Sequence, residues 1–239
     1  MKKGMRKNMS KISSKIIKEN LLILISVVIV GFNLVIDIIP NLMLDTKMKL
    51  ITYIFSMILV FIDMKIKCKK FSNKEQYIKR GLTIIFIIYS ILISTLLFVD
   101  GNYRRFGSNV KIFSKEHFEY YSNLIPFRTI YAFLSRIVEG TINLNAVLTN
   151  ILGNIIVFAP YGILVPIIFK DKFDNVKNFI LLMIGTVFIV ECIQFITMNG
   201  ALDIDDLILN VLGAVIMYGL MKVKIIKQIV YKIIGKELE

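Results

Sequence analysis

Histidine and cysteine, the residues that most often hold transition metals or act as nucleophiles, are almost missing from this sequence. It has one histidine, His117, and two cysteines, Cys68 and Cys192. Cys68 lies in a lysine-rich stretch and Cys192 in an apolar run, so neither a disulfide framework nor a zinc site is indicated. Because no second His or nearby Cys accompanies His117, we predict that it lies on the surface.

Acidic residues are also scarce. The chain has 17 Asp and Glu against 30 Lys and Arg, which gives a formal net charge of +13. In a soluble protein this excess would indicate nucleic-acid binding. Here the lysines form blocks between apolar runs, where they set membrane topology and contact anionic lipid. We therefore predict no nucleic-acid partner.

Apolar residues are what the sequence has in excess. Hydrophobic residues make up 56% of it and the mean hydropathy is +0.71, whereas a soluble domain has about 45–50%. We predict an all-α fold, a polytopic helical membrane bundle of about six transmembrane helices. The predicted spans are residues 21–39, 48–62, 82–99, 146–169, 178–198 and 203–221. Residues 1–80 form an N-terminal extension with two spans, residues 81–222 the main helical membrane domain, and residues 223–239 a basic tail.

The lysine blocks set the predicted orientation. They precede the first span, follow the second and follow the last, and such blocks face the cytoplasm. We therefore predict a cell-membrane protein with both termini cytoplasmic and with Asn109 outside. Pro126 and the apolar spacing after it predict an interfacial amphipathic helix. Its apolar residues are Phe127, Ile130, Tyr131, Leu134, Ile137 and Val138. They fit the outer leaflet and the surface of the bundle equally well.

The last three predicted spans carry amides and carboxylates, and each span gathers them on one face. These residues are Asn150 and Asn154, Glu191 and Gln194, and Asp203, Asp206 and Asn210. Depths counted at about 1.5 Å per residue bring the three faces together near the outer surface. A charged residue at the centre of a membrane helix costs about 2.5–3.5 kcal/mol. The pattern therefore predicts a functional pocket open to the exterior.

Each of these groups also has a structural interpretation. Asp203 suits a helix N-cap with Asp206 in the first turn, and the amides suit hydrogen bonds between helices. Neither interpretation explains Asp205, because three acids within residues 203–206 repel one another unless something neutralises them. Glu191 is the strongest functional candidate, because a lone buried carboxylate needs a basic partner, a proton or a ligand.

The chain contains four motifs in order: NLIPF (123–127), NILGN with FAPYG (150–162), ExxQ (191–194) and DIDDLILNVLG (203–213). Together they resemble the VanZ-like family of bacterial membrane proteins. The resemblance covers about residues 82–218 and implies a small helical membrane protein associated with tolerance of teicoplanin-type, lipid-bearing glycopeptides. Family members usually carry an arginine two or three residues before the acids, where this chain has Asn199, Gly200 and Ala201. We therefore expect Arg128, or else Arg136 or a metal ion, to neutralise them.

Two functions remain open. The resemblance favours a protein that lowers the access of lipid-bearing glycopeptides or cationic envelope-active peptides through the acidic and amide pocket. Its expected partners are membrane lipids and either a lipid-linked envelope precursor or the glycopeptide. The alternative is an outer-leaflet enzyme acting on a lipid-linked envelope precursor, with Asp205 and Asp206 holding Mg²⁺ and Glu191 as acid or base. Outside that alternative we expect no cofactor, and whether the chain is an enzyme stays open.

Overall fold

The computed structural model describes residues 19–39, 42, 44–99 and 114–236. The predicted N-terminal lysine block and Asn109 lie outside these residues. The described chain forms ten helices and one short pair of strands, β1 (Ser122–Asn123) and β2 (Leu202–Asp203). The helices are α1 (Leu21–Ile38), α2 (Thr46–Lys70), α3 (Lys74–Phe98), α4 (Lys115–Tyr121), α5 (Arg128–Val138), α6 (Leu144–Ile168), α7 (Lys170–Phe173), α8 (Val176–Ile196), α9 (Ile204–Lys222) and α10 (Lys224–Ile234).

Five of these helices, α1, α3, α6, α8 and α9, are long and apolar enough to cross a membrane. The predicted all-α membrane bundle is therefore confirmed. The second predicted span, residues 48–62, lies within α2. This helix has 25 residues but is not among the five, because its sequence is more highly charged.

By their internal contacts the described residues divide into two compact units, those up to residue 92 together with those from residue 232 on, and those between residues 93 and 231. In the first unit α1 packs along α2. The buried charges of α2 are paired there: Lys49 Nζ lies 2.7 Å from Asp37 Oδ1, and Lys67 Nζ lies 2.7 Å from Asp63 Oδ2. Pairing of this kind is what allows buried charges to persist in an apolar environment.

In the second unit α6 and α9 pack against each other at very short range, and two glycines make this possible. A Cβ atom added at Gly213 would lie 1.8 Å from the carbonyl oxygen of Ile155, and one at Gly162 would lie 2.2 Å from that of Ala214. Small residues let the backbones of membrane helices approach closely in this way. The contact sets the distance across which side chains of α6 and α9 meet.

The start of α8 and the end of α9 are joined, partly through the loop that precedes α8. The rings of Phe179 and Tyr218 stack with centroids 4.5 Å apart. The Tyr218 hydroxyl donates to the Asp174 carbonyl, and Lys222 Nζ donates to the Asp174 carboxylate. The hydrogen bond from Lys222 lowers the pKa of Asp174 below its ordinary value. These contacts fix α8 beside α9 at the end distant from Asp203.

Candidate functional site

The site begins where two short strands bring distant segments together. β1 and β2 pair in parallel, with Asn123 opposite Asp203. The Asp203 carboxylate accepts hydrogen bonds from Asn123 Nδ2 at 2.9 Å, Thr129 Oγ1 at 2.6 Å and the main-chain N–H of Asp205 at 2.8 Å. The last of these makes Asp203 the N-cap of α9. The structural interpretation of Asp203 as a cap is therefore confirmed.

Asp205 is fully buried and caps a helix to which it does not belong. Its carboxylate accepts from the main-chain N–H groups of Phe127, Thr129 at 2.8 Å and Ile130 at 3.2 Å. These are amides at the start of α5, which otherwise have no partner within their own helix. Phe127 adopts a left-handed backbone conformation, φ +66°, which turns the chain into α5. One carboxylate thus fixes the N-terminus of α5 to the first turn of α9.

These hydrogen bonds account for the crowding of the acids without a basic side chain. Asp203 and Asp205 together accept six hydrogen bonds from neutral donors. The positive end of the α5 dipole adds about half a unit charge. The guanidinium of Arg128, which we expected to do this, is exposed and forms no salt bridge with a carboxylate among the described residues. The main chain on either side of Arg128, at residues 127, 129 and 130, binds Asp205 in place of the Arg128 side chain.

Asp206 points away from α5 and towards α6. Its carboxylate accepts a hydrogen bond from Asn154 Nδ2, across the short-range contact of α6 and α9. Asn210, one turn further along α9, is buried and donates from Nδ2 to the Asp206 carbonyl at 2.7 Å, while its Oδ1 is buried and accepts no hydrogen bond. Asn150 lies one turn before Asn154, half-buried. The structure therefore joins Asn154 of α6 to Asp206 of α9, whereas no hydrogen bond joins Asn150 to the predicted residues of α9 in the described part of the chain.

Glu191 of α8 joins the same network from the third side. It is 3% exposed, and the main-chain N–H of Asp203 approaches its Oε2 at 3.4 Å, which is a long, weak hydrogen bond. No lysine or arginine among the described residues forms a salt bridge with it. Gln194 instead lies under the turn that follows α8, where a Cβ at Gly200 would come within 3.1 Å of its side chain. Glu191 is thus the carboxyl group with the fewest compensating contacts in the site.

A comparison with known protein families identifies the family of this chain. The family model described as VanZ/LLP1 matches residues 86–227, which is more than half of the chain and includes every residue of the site. The chain belongs to the VanZ/LLP1 family. No curated protein and no solved structure matches it.

Two residues of this VanZ/LLP1 network, Asn123 and Thr129, were not among the predicted site residues. Asn123 Nδ2 donates to Thr129 Oγ1 at 3.0 Å as well as to Asp203, and its Oδ1 accepts from the N–H of Ile125. Asn123 opens the NLIPF motif, which was therefore the available signal. Their roles could not be assigned from the sequence, because they depend on hydrogen bonds to residues 74–80 positions away.

The prediction that His117 lies on the surface is wrong. Its side chain is 0% exposed, and its ring lies 4.2 Å from that of Phe195 and 5.4 Å from that of Tyr121 between centroids. Neither ring nitrogen has a hydrogen-bond partner. Phe195 of α8 and Tyr121 of α4 lie against the ring. The sequence around His117 is rich in charged residues, so it gave no indication of this contact with a distant helix.

The donor set does not fit the divalent-cation site of the enzymatic alternative. Both oxygens of Asp205 accept main-chain hydrogen bonds, although that alternative assigns them to the metal. Among the described residues, no group of three or more His, Cys, Asp and Glu side chains is placed to hold a metal ion. The chemistry that the site does offer is a buried carboxyl group, that of Glu191, and a half-buried one, that of Asp206, with the amides of Asn154 and Asn210 beside Asp206.

Proposed function

We propose that this VanZ/LLP1 protein contributes to tolerance of lipid-bearing, teicoplanin-type glycopeptides or of cationic envelope-active peptides. In this proposal it lies in the cell membrane with both termini cytoplasmic, and the site faces the outer leaflet. The observation that carries the proposal is the convergence of α6, α8 and α9 on Asn154, Glu191 and Asp206. Family membership supports the association with resistance.

In this proposal the predicted site has two parts. Asp203 and Asp205 support the structure, because their oxygens accept hydrogen bonds from β1, α5 and α9. Glu191 and Asp206, with Asn150, Asn154 and Asn210, form the part that can recognise a ligand. Carboxyl and amide groups in an apolar surrounding bind cationic or hydrogen-bonding groups strongly, because water does not compete there. We therefore propose a binding role rather than catalysis.

The test is a deletion strain complemented with the wild-type chain, Glu191→Gln or Asp206→Asn. The two substitutions keep the size of the side chain and remove only its ability to ionise. We expect wild type to restore growth in teicoplanin and both variants to fall to the level of the deletion strain at equal protein abundance. Glu139→Gln is the matched control, since it removes the same charge from an exposed residue outside the network.

A parallel series with vancomycin distinguishes the proposal from a general envelope defect. Vancomycin lacks the lipid tail, so the deletion should alter its inhibitory concentration less than that of teicoplanin. An equal change for both drugs would contradict a membrane-level mechanism. Turnover of a lipid-linked diphosphate by the purified protein, abolished by EDTA, would instead establish the enzymatic alternative.

A further inference from the structure

Helix α5 has three faces instead of the two of an ordinary amphipathic surface helix. At about 100° per residue, one face packs on α6 and α9 and its residues are half-buried: Thr129, Ile130, Phe133 and Ile137. A second face is polar and carries Arg128, Arg136 and Glu139, all exposed. The third lies between them and is apolar, with the following exposed fractions: Phe127 61%, Tyr131 73%, Leu134 53% and Val138 89%. We call these four residues the apolar stripe.

Both ends of α5 are tied to the ends of membrane-spanning helices. Its N-terminal amides bind Asp205 in the first turn of α9, and its C-terminus reaches Leu144, the first residue of α6, after a short loop. α6 and α9 are both candidate spans. A helix held at the first turns of two spans lies where hydrocarbon meets water.

The span that follows α5, helix α6, also has an exposed apolar face. α6 exposes Leu144, Leu148, Leu152 and Ile156, which follow one another at intervals of four residues along one face. In a membrane-spanning helix such a line of exposed side chains is covered by lipid acyl chains. The apolar stripe of α5 ends at Val138, shortly before α6 begins at Leu144, so the same leaflet is available to cover it.

We propose that α5 is a lipid-binding interfacial helix whose apolar stripe inserts into the acyl region of the adjoining leaflet. Arg128 and Arg136, on the polar face, then lie at the depth of the lipid phosphates, which guanidinium groups bind in two-point geometry. This also explains why Arg128 is directed away from the acids. Interfacial helices with an apolar face and basic flanks bind membranes in this manner. The inference goes beyond the proposed function, because it requires no antibiotic or other ligand.

The experiment measures the depth of neighbouring residues in the full-length protein. Val138→Cys places a thiol on the apolar stripe, and the adjacent Glu139→Cys places one on the polar face as the matched control; both are made with Cys68→Ser and Cys192→Ser. Each variant is labelled with a small environment-sensitive fluorophore and reconstituted into vesicles of phosphatidylcholine and phosphatidylglycerol. Tyr131→Cys and Arg136→Cys form a second pair, so that the result does not depend on one site.

We expect labels at residues 138 and 131 to be quenched by lipids with a nitroxide on the acyl chain and shielded from aqueous iodide. Labels at residues 139 and 136 should show the opposite pattern. Iodide quenching of all four labels would overturn the proposal, because the stripe would then face water. Shielding of residues 138 and 131 from both quenchers would also overturn it, because a protein surface would then cover the stripe.

Discussion

Four carboxyl groups lie within the site, and they differ in what surrounds their oxygens. Those of Asp203 and Asp205 accept hydrogen bonds from six donors in total, so their charge is dispersed over amides and hydroxyls. Asp206 has an amide partner from α6. Glu191 is buried with one long hydrogen bond. A group whose burial is compensated so poorly is retained for function more readily than for stability.

Glu191→Gln should therefore separate stability from activity. The substitution relieves a buried ionisable group, so the abundance of the protein in membranes should equal or exceed that of wild type. Tolerance of teicoplanin should be lost. Immunoblotting of membrane fractions beside growth inhibition measures the two effects. Full tolerance at normal abundance would exclude Glu191 from the function.

His117→Phe should not destabilise the protein. The histidine is buried between aromatic rings with both nitrogens unpaired, and an unsatisfied buried polar group costs about 1–3 kcal/mol. Removing it should leave Tm in detergent unchanged or raise it by a few degrees. Tyr120→Phe, at an exposed position, is the control with no expected change. A clear fall in Tm would mean that a ring nitrogen of His117 has a partner.

At the scale of elements, α5 is held by a carboxylate from another helix. Its own first residues supply no cap, since Phe127 makes no side-chain hydrogen bond there. The prediction of an amphipathic helix in this region is confirmed by α5. Of the two environments left open for its apolar residues, the structure assigns Ile130 and Ile137 to the bundle contact and leaves the apolar stripe exposed. Sequence periodicity could not make this division, because both sets are equally apolar.

Asp205→Ala should loosen the N-terminus of α5. Three main-chain N–H groups lose their acceptor, and hydrogen bonds to a charged group contribute about 1.5–3 kcal/mol each. Hydrogen exchange at the amides of Thr129 and Ile130 should accelerate by roughly tenfold or more. Asp171→Ala, which removes an exposed acid outside the network, should leave these amides unchanged. Equal exchange in both variants would contradict the capping role of Asp205.

Gly213→Ala should separate α6 from α9. The added methyl group would lie 1.8 Å from the carbonyl oxygen of Ile155, so the backbones must move apart at a cost of about 1–3 kcal/mol. Gly219→Ala on the same helix is the control, because a Cβ there meets nothing within 4 Å and alanine favours the helix by about 1 kcal/mol. Thermal unfolding in detergent should therefore give a lower Tm for Gly213→Ala than for wild type, and a Tm for Gly219→Ala that is equal to or higher than that of wild type. A stable Gly213→Ala protein would contradict the close contact.

For the whole molecule, the predicted orientation can be tested with thiol labelling of intact cells. Thr141→Cys, in the loop before α6, should react with a membrane-impermeant maleimide, whereas Asp171→Cys, in the short helix α7 between α6 and α8, should react only after lysis. Both positions are exposed. Native Cys68 is a poor indicator, because it is buried and its silence would not reveal its side of the membrane. Labelling of residue 171 in intact cells would reverse the topology.

The sequence alone determined the class of the protein, the helices and most of the residues that meet in the site. Apolar runs of membrane-spanning length leave helices as the only structure that satisfies the backbone, and helical spacing fixed which polar residues share a face. Those facts are local, so they can be read without a partner segment. The order of the motifs likewise indicated the family, which the match over residues 86–227 established.

Only the tertiary structure decided which polar residues hold the helices together and which have few hydrogen-bond partners. The pairing of Asn123 with Asp203 and the caps that Asp205 provides for α5 join residues 75 or more positions apart, and no periodicity records such contacts. We expected a cation beside these acids because we assumed that only an opposite charge could stabilise them. Buried main-chain amides and a helix N-terminus balance it equally well, and where they point depends on how the helices pack.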